Sequence, residues 1–123
     1  MENVEQEDEN GCGVAAVAML AGVSYGEARN IIYPNGRSKL TGTKSLHAAL
    51  VKLGRKPLSD RRIGFRSKTP DDLDVDALIF VKMGKKGKGS GHWIVWDNAA
   101  RKLRDPDQPR HYQIKGYLPL APT

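Results

Sequence analysis

Residues 11–21 read Gly-Cys-Gly-Val-Ala-Ala-Val-Ala-Met-Leu-Ala, a run without a single charged side chain. Short, apolar and alanine-rich, it suits a helix buried on most of its sides better than a strand. A 123-residue chain can bury such a helix only by wrapping the rest of its core around it, so residues 11–21 are expected to form a central helix. Gly22 is placed to end that helix. Ser24-Tyr-Gly-Glu27 has the form of a capping box and opens a second helix to about Ile32, followed by a turn at Pro34-Asn-Gly36. Thr43 can cap a third helix, in which Leu46, Ala49, Leu50 and Leu53 recur at three- and four-residue steps and Gly54 is the stop.

The second half changes period. Arg62 to Arg66 reads as a short strand and Ala77 to Met83 as a buried one. A basic loop, Lys85-Lys-Gly-Lys-Gly-Ser-Gly91, leads into the aromatic and branched run His92 to Trp96. After a turn at Asp97 to Ala100, Lys102 to Asp105 returns as a partner strand, Pro106 ends it, and His111 to Ile114 adds another. Helices first and an antiparallel sheet second make an α+β domain. No linker, repeat or low-complexity tract divides residues 1–123, which are expected to form one domain with an acidic N-terminal segment over residues 1–10. The glycine-rich loop lacks the Gly-Lys-Ser/Thr ending and the following helix of a phosphate-binding loop, so it is read as a hairpin loop.

Charge is unevenly placed. Residues 1–10 hold five acids (Glu2, Glu5, Glu7, Asp8, Glu9) and no base, and the remainder sets twenty Lys and Arg against nine Asp and Glu, a net +11. Such a body can mark an anionic partner or simply be a solvated basic surface. The acidic start is the reverse of a signal peptide's basic one, and the longest apolar stretch, Val14 to Val23, is far short of the roughly 20 residues of a membrane span. One cysteine excludes an intramolecular disulfide, and His47, His92 and His111 lack the close spacing of a histidine zinc motif. These features lead to the expectation of a reducing, intracellular compartment, no membrane span and no cofactor.

Four residues can carry chemistry. Cys12 opens the first helix, where the macrodipole and free N–H groups favour a thiolate, although a lone cysteine is also commonly a small buried hydrophobe. Gly11 and Gly13 either let a substrate backbone approach the sulfur or serve packing. A thiolate nucleophile needs a base, and the base an orienting group. With the hairpin turn centred between Asn98 and Ala99, Trp96 faces Arg101, Ile94 faces Leu103 and His92 faces Asp105, close enough for the carboxylate to hold the imidazole. Asp97 falls on the opposite face and Asp107 beyond Pro106. Gln6 is a solvated residue of a polar terminus or, with the Cys12 backbone N–H, a donor to a developing oxyanion.

Together these residues resemble a known family. Gln6-Glu-Asp-Glu-Asn-Gly-Cys12-Gly-Val-Ala-Ala, with Met19 and Leu20 following, is similar to the start of the papain-like cysteine peptidase domain of bacteriocin-exporting ABC transporters, the double-glycine leader peptidases. Thr43, Leu46, Ala49, Leu50, Leu53 and Gly54 resemble that family's third helix, and Gly91-His92-Trp-Ile-Val with Asp105-Pro106 resembles its histidine strand and aspartate-proline ending. The resemblance spans about residues 4–110 and implies a papain-like fold with Cys12 as nucleophile, His92 as base, Asp105 as its orienter and Gln6 as the oxyanion residue. The His92-to-Asp105 spacing is a little shorter than in that family.

The resulting expectation is a free-standing thiol hydrolase, a cysteine peptidase acting on a peptide or protein in a bacterial or phage-infected cytoplasm. The alternative keeps the same triad and uses it for deamidation, isopeptide cleavage or acyl transfer on a protein. The rival from another class is a non-catalytic basic binding module using the +11 body and the lysine loop. Nucleic-acid binding, where present, is expected to be weak and sequence-independent.

Overall fold

The structure is a computed structural model that describes residues 1–37, 39, 41–107 and 111–123. Three helices, α1 (Cys12–Ala21), α2 (Tyr25–Ile32) and α3 (Thr43–Lys52), pack on an antiparallel sheet of β1 (Ala77–Met83), β2 (Gly91–Asp97), β3 (Lys102–Arg104) and β4 (Tyr112–Pro119). The sheet order is β3-β2-β1-β4. The fold is therefore α+β, as the change of period along the chain implies. No helix among the described residues is long and apolar enough to cross a membrane.

The composition of α1 sets its place. Every residue from Gly13 to Leu20 is buried, so the helix has no solvent face. It ends at Gly22, whose left-handed conformation (φ 69°) lets its N–H close back on the Ala18 carbonyl. α2 begins where Ser24 Oγ accepts the Glu27 N–H at 3.1 Å. α3 differs in detail from the sequence expectation: Gly42, not Thr43, is the residue before the helix, and Thr43 is its first turn.

The sheet is covered on both faces. Leu78, Trp93, Val95 and Leu118 face the helices and share a core with α1, whereas Ala77, Ile79, Val81, Ile94 and Trp96 pack beneath Phe65 and Leu73 of the segment between α3 and β1. Burying each such aliphatic or aromatic side chain contributes about 1.5–3 kcal/mol. The expected strand at Arg62 to Arg66 is reduced to a single bridge, Ile63 to Tyr117, because Arg66 turns into a left-handed conformation (φ 55°) and directs the chain away. β3 stops at Arg104, one residue short of expectation, and β4 runs on to Pro119.

The hairpin register also differs. Trp96 faces Leu103 and Val95 faces Arg104, a displacement of two residues from the expected pairing. The cause is a four-residue turn, 98–101, centred one residue later. Asp97 Oδ1 accepts the Ala100 N–H at 3.3 Å, and Arg101 takes a left-handed φ of 55°. The Arg101 guanidinium holds that conformation by donating to Leu73 O at 2.7 Å and Asn98 Oδ1 at 2.8 Å while lying over the Trp96 ring. Because side chains alternate, an even displacement keeps Asp105 on the face of His92, now diagonal to it rather than directly opposite.

Candidate active site

Cys12 is the first residue of α1 and is half-buried. The flanking glycines are explained by packing. A Cβ on Gly11 would overlap the Tyr25 hydroxyl, and one on Gly13 would overlap Thr41 Oγ1 and press on the Leu46 side chain. Their bare backbones let α2, α3 and the preceding loop close tightly around the start of α1, which fixes the sulfur's direction.

His92, near the start of β2, presents its ring where β3 no longer flanks the strand. Its Nε2 lies 2.7 Å from Asp105 Oδ1, and the two side chains are 11% and 15% exposed. The same oxygen accepts the Asp107 backbone N–H at 3.0 Å, which pins the carboxylate just beyond the end of β3. This bond leaves Nδ1 as the ring nitrogen available to the thiol. Burial works against the imidazolium, but the bond to Asp105 and the hydrogen bond and charge of the neighbouring Cys12 sulfur outweigh it and push the His92 pKa up to about 9. Cys12, His92 and Asp105 are thus brought together as sulfur, imidazole and carboxylate.

The other acids near the hairpin have different partners. Asp97, 2% exposed, holds Arg104 Nε at 2.8 Å on the opposite face. Burial opposes its carboxylate, yet the Arg104 bond and the Ala100 N–H hold its pKa below the usual range.

The raised His92 pKa has a thermodynamic consequence. A histidine whose folded pKa lies above its ordinary value of about 6.5 stabilises the fold fully below pH 6.5 and loses that contribution as pH rises toward 9. Urea unfolding at pH 6 and at pH 9.5 should show the wild type losing about 2–3 kcal/mol relative to His92→Gln across that interval. Parallel curves for the two proteins would place His92 at an ordinary pKa.

Gln6 sits on the other flank. Its main-chain N–H donates to Pro106 O at 2.9 Å, tying the N-terminal segment to the residue after Asp105. Its Nε2 donates to Asp8 O at 3.2 Å and Glu9 O at 3.4 Å, while Oε1 is buried without a partner. No hydrogen bond joins its side chain to Cys12 or His92 among the described residues. The segment is clamped further by Asp8, whose Oδ2 accepts from Tyr25 at 2.7 Å and Arg29 Nε at 2.9 Å. These two bonds hold the Asp8 pKa below the usual carboxylate range.

Two depressions meet this site. A groove of about 210 Å³ has Cys12 in its wall and is bordered by Asn10, Thr41, Phe80, Gly91 and Trp93. At Gly91 an added Cβ would strike the edge of the Phe80 ring, so the ring in its present position needs a glycine there. The Trp93 indole is fixed by its Nε1 donating to Thr41 O at 3.2 Å. A larger cavity, about 500 Å³, is lined by Gln6, Asp105, Tyr112 and residues of β3, and by neither Cys12 nor His92. The sulfur thus faces the smaller groove, and Gln6 and Asp105 the larger cavity.

Several contributors are missed by sequence reasoning. Tyr25, Arg29 and the Asp107 N–H act on the site only through Asp8 and Asp105. Phe80 had one available signal: its parity with Leu78 puts it on the helix-facing side of β1. Thr41 and Asn10 carry none. Among the described residues, no group of three or more His, Cys, Asp or Glu side chains is arranged to hold a metal ion.

No known protein family, no curated protein and no solved structure matches this chain.

Proposed function

We propose that this chain is a papain-like thiol hydrolase, a cysteine peptidase acting on a peptide or protein. The observation that carries the reading is the free thiol at the start of a buried helix beside an imidazole whose far nitrogen is bound at 2.7 Å to a carboxylate. The resemblance in the order of Gln6, Cys12, His92 and Asp105 supports it. Reducing cytoplasm, bacterial or phage-infected, is the setting proposed for a protein whose one cysteine must stay free.

In this mechanism His92 takes the Cys12 proton, and the sulfur attacks the carbonyl carbon, forming a C–S bond as the oxygen becomes an oxyanion. The Cys12 backbone N–H and Gln6 Nε2 donate to that oxygen. Collapse breaks the C–N bond, with His92 delivering its proton to the leaving amine. Water, deprotonated by His92, then attacks the thioester, and the acid product leaves as the thiol is restored. Asp105 keeps the ring turned and stabilises its protonated form.

Alkylation by iodoacetamide at pH 7, followed by intact mass, tests the reading. Cys12 should be modified at least about tenfold faster than N-acetylcysteine, with the advantage lost in His92→Ala. A sulfur no faster than the free thiol, or inaccessible in the folded protein, removes the nucleophile and leaves the basic binding module. The mass of products from a turned-over substrate separates peptidase from deamidase or transferase chemistry.

A further inference from the structure

We propose that the groove at Cys12 selects a substrate segment with an acidic side chain close to the bond attacked, and that Arg62 and Lys82 receive it. The inference rests on the thiol-hydrolase reading and adds to it a class of substrate.

Arg62 lies with its guanidinium carbon 4.1 Å from the centroid of the Phe80 ring and 5.9 Å from that of Trp93, the two aromatic walls of the groove. It is exposed and has no carboxylate or hydrogen-bonding partner for its side chain among the described residues. A guanidinium stacked on aromatic rings keeps its N–H edge free for a planar carboxylate. Lys82 stands directly across the β1–β2 ladder from Gly91, which also borders the groove, and shares the Phe80 face of β1. It too is exposed and unpaired among the described residues. Ser90, which follows the lysine loop, also borders the groove.

Five acids of the body and the N-terminal segment are engaged elsewhere. Asp8 pairs with Arg29, Asp60 with His47, Asp76 with Arg55, Asp97 with Arg104 and Asp105 with His92. Along the chain, the free carboxylate nearest a groove residue is Glu9, beside Asn10. Arg62, stacked on both aromatic walls, and Lys82, across the ladder from Gly91, thus flank an aromatic-walled groove with Cys12 in its wall, a shape that takes an extended peptide. A duplex would meet the same charges as a surface and gain nothing from Phe80, Trp93 or Cys12.

The test uses the whole chain and short peptides that differ only in Glu, Gln or Lys next to an electrophile. A C-terminal vinyl sulfone lays the peptide on one side of the sulfur and an N-terminal bromoacetyl group lays it on the other. In the first, sulfur bonds to the β-carbon and the His92 proton passes to the α-carbon; in the second, the C–S bond forms as bromide leaves. Rates are read by intact mass and divided by each protein's own iodoacetamide rate. In at least one placement the Glu peptide should label Cys12 about 5- to 20-fold faster than the Lys peptide in 50 mM salt, with the ratio shrinking as salt rises. Arg62→Glu combined with Lys82→Glu should reverse the order, which a merely structural loss would not do.

Equal rates for Glu and Lys peptides in both placements overturn the inference and leave the thiol-hydrolase reading standing. A Glu preference unchanged in the double variant overturns the assignment to Arg62 and Lys82. Labelling of Cys12 by none of the peptides or by iodoacetamide overturns both. Duplex DNA that suppresses labelling by the Gln peptide as strongly as by the Glu peptide, at physiological salt, overturns the peptide in favour of nucleic acid.

Discussion

Asp105→Ala should lower the rate at which an activated peptide ester acylates Cys12 by about 10²- to 10⁴-fold while leaving a folded protein. Among the described residues the carboxylate is the group bonded to His92 Nε2, at 2.7 Å, and without it the ring loses both its orientation and the charge that favours its protonated form. Asp105→Asn should be milder, at about tenfold, because an amide oxygen still accepts from Nε2 and holds the ring, as in the Cys-His-Asn version of the triad. The neighbouring acids provide the contrast. Asp107→Ala keeps the backbone N–H that pins Asp105, so its rate should stay within about threefold of the wild type. Asp97→Ala strands Arg104 beside a buried gap and should show as lost stability, about 3–5 kcal/mol, rather than lost rate per folded molecule. Circular dichroism and release of p-nitrophenolate from the ester separate these outcomes. A crippled Asp107→Ala beside an active Asp105→Ala would mean that the ring is held by a different carboxylate.

Gln6→Ala should slow the same acylation by about 10²- to 10³-fold, the scale of removing one oxyanion donor. The long 3.2 and 3.4 Å contacts of Nε2 to main-chain carbonyls are weak, and a charged oxygen is the stronger acceptor for either proton. Alkylation by iodoacetamide passes through no oxyanion, so its rate should fall far less. That split is what distinguishes a donor to the transition state from a residue that merely keeps the N-terminal segment in place: loss of the segment would slow both reactions together. Near-normal ester acylation would make residues 1–10 a structural strap.

The helices and the strand carrying His92 were legible because each is written locally. An alanine-rich apolar run has nowhere to go but the core, Ser24 and Glu27 form a cap within one turn, and the branched run at 92–96 has strand chemistry. The Asp105 side of the site was legible for a subtler reason. The turn is displaced by Arg101, whose anchors at Leu73 and Asn98 no local pattern announces. The displacement is even, so parity kept the right acid on the right face although the pairing differs. A shift by one residue would have exchanged Asp105 for its neighbours. What stayed hidden is what depends on approach between distant elements: the Gly11 contact with Tyr25, the Asp8 clamp, and a groove assembled from residues 10, 12, 41, 80 and 93. No periodicity encodes which side chain of one element meets which of another.

The way residues 1–10 are fastened bears on how the protein loses activity. This stretch contains no helix or strand and is joined to the body mainly through the Gln6 N–H to Pro106 and the Asp8 carboxylate to Tyr25 and Arg29. Apart from Val4, which packs against the core around α1, it contributes no residue to the two cores, so it is expected to form a unit of low local stability that opens before the sheet does. Acid favours that opening, since protonating Asp8 gives up the interactions that depress its pKa. On the thiol-hydrolase reading, activity and the folded state become separable properties: mild denaturant or low pH should silence catalysis by unfastening this leading edge, and a return to neutral conditions should restore it without any refolding of the core.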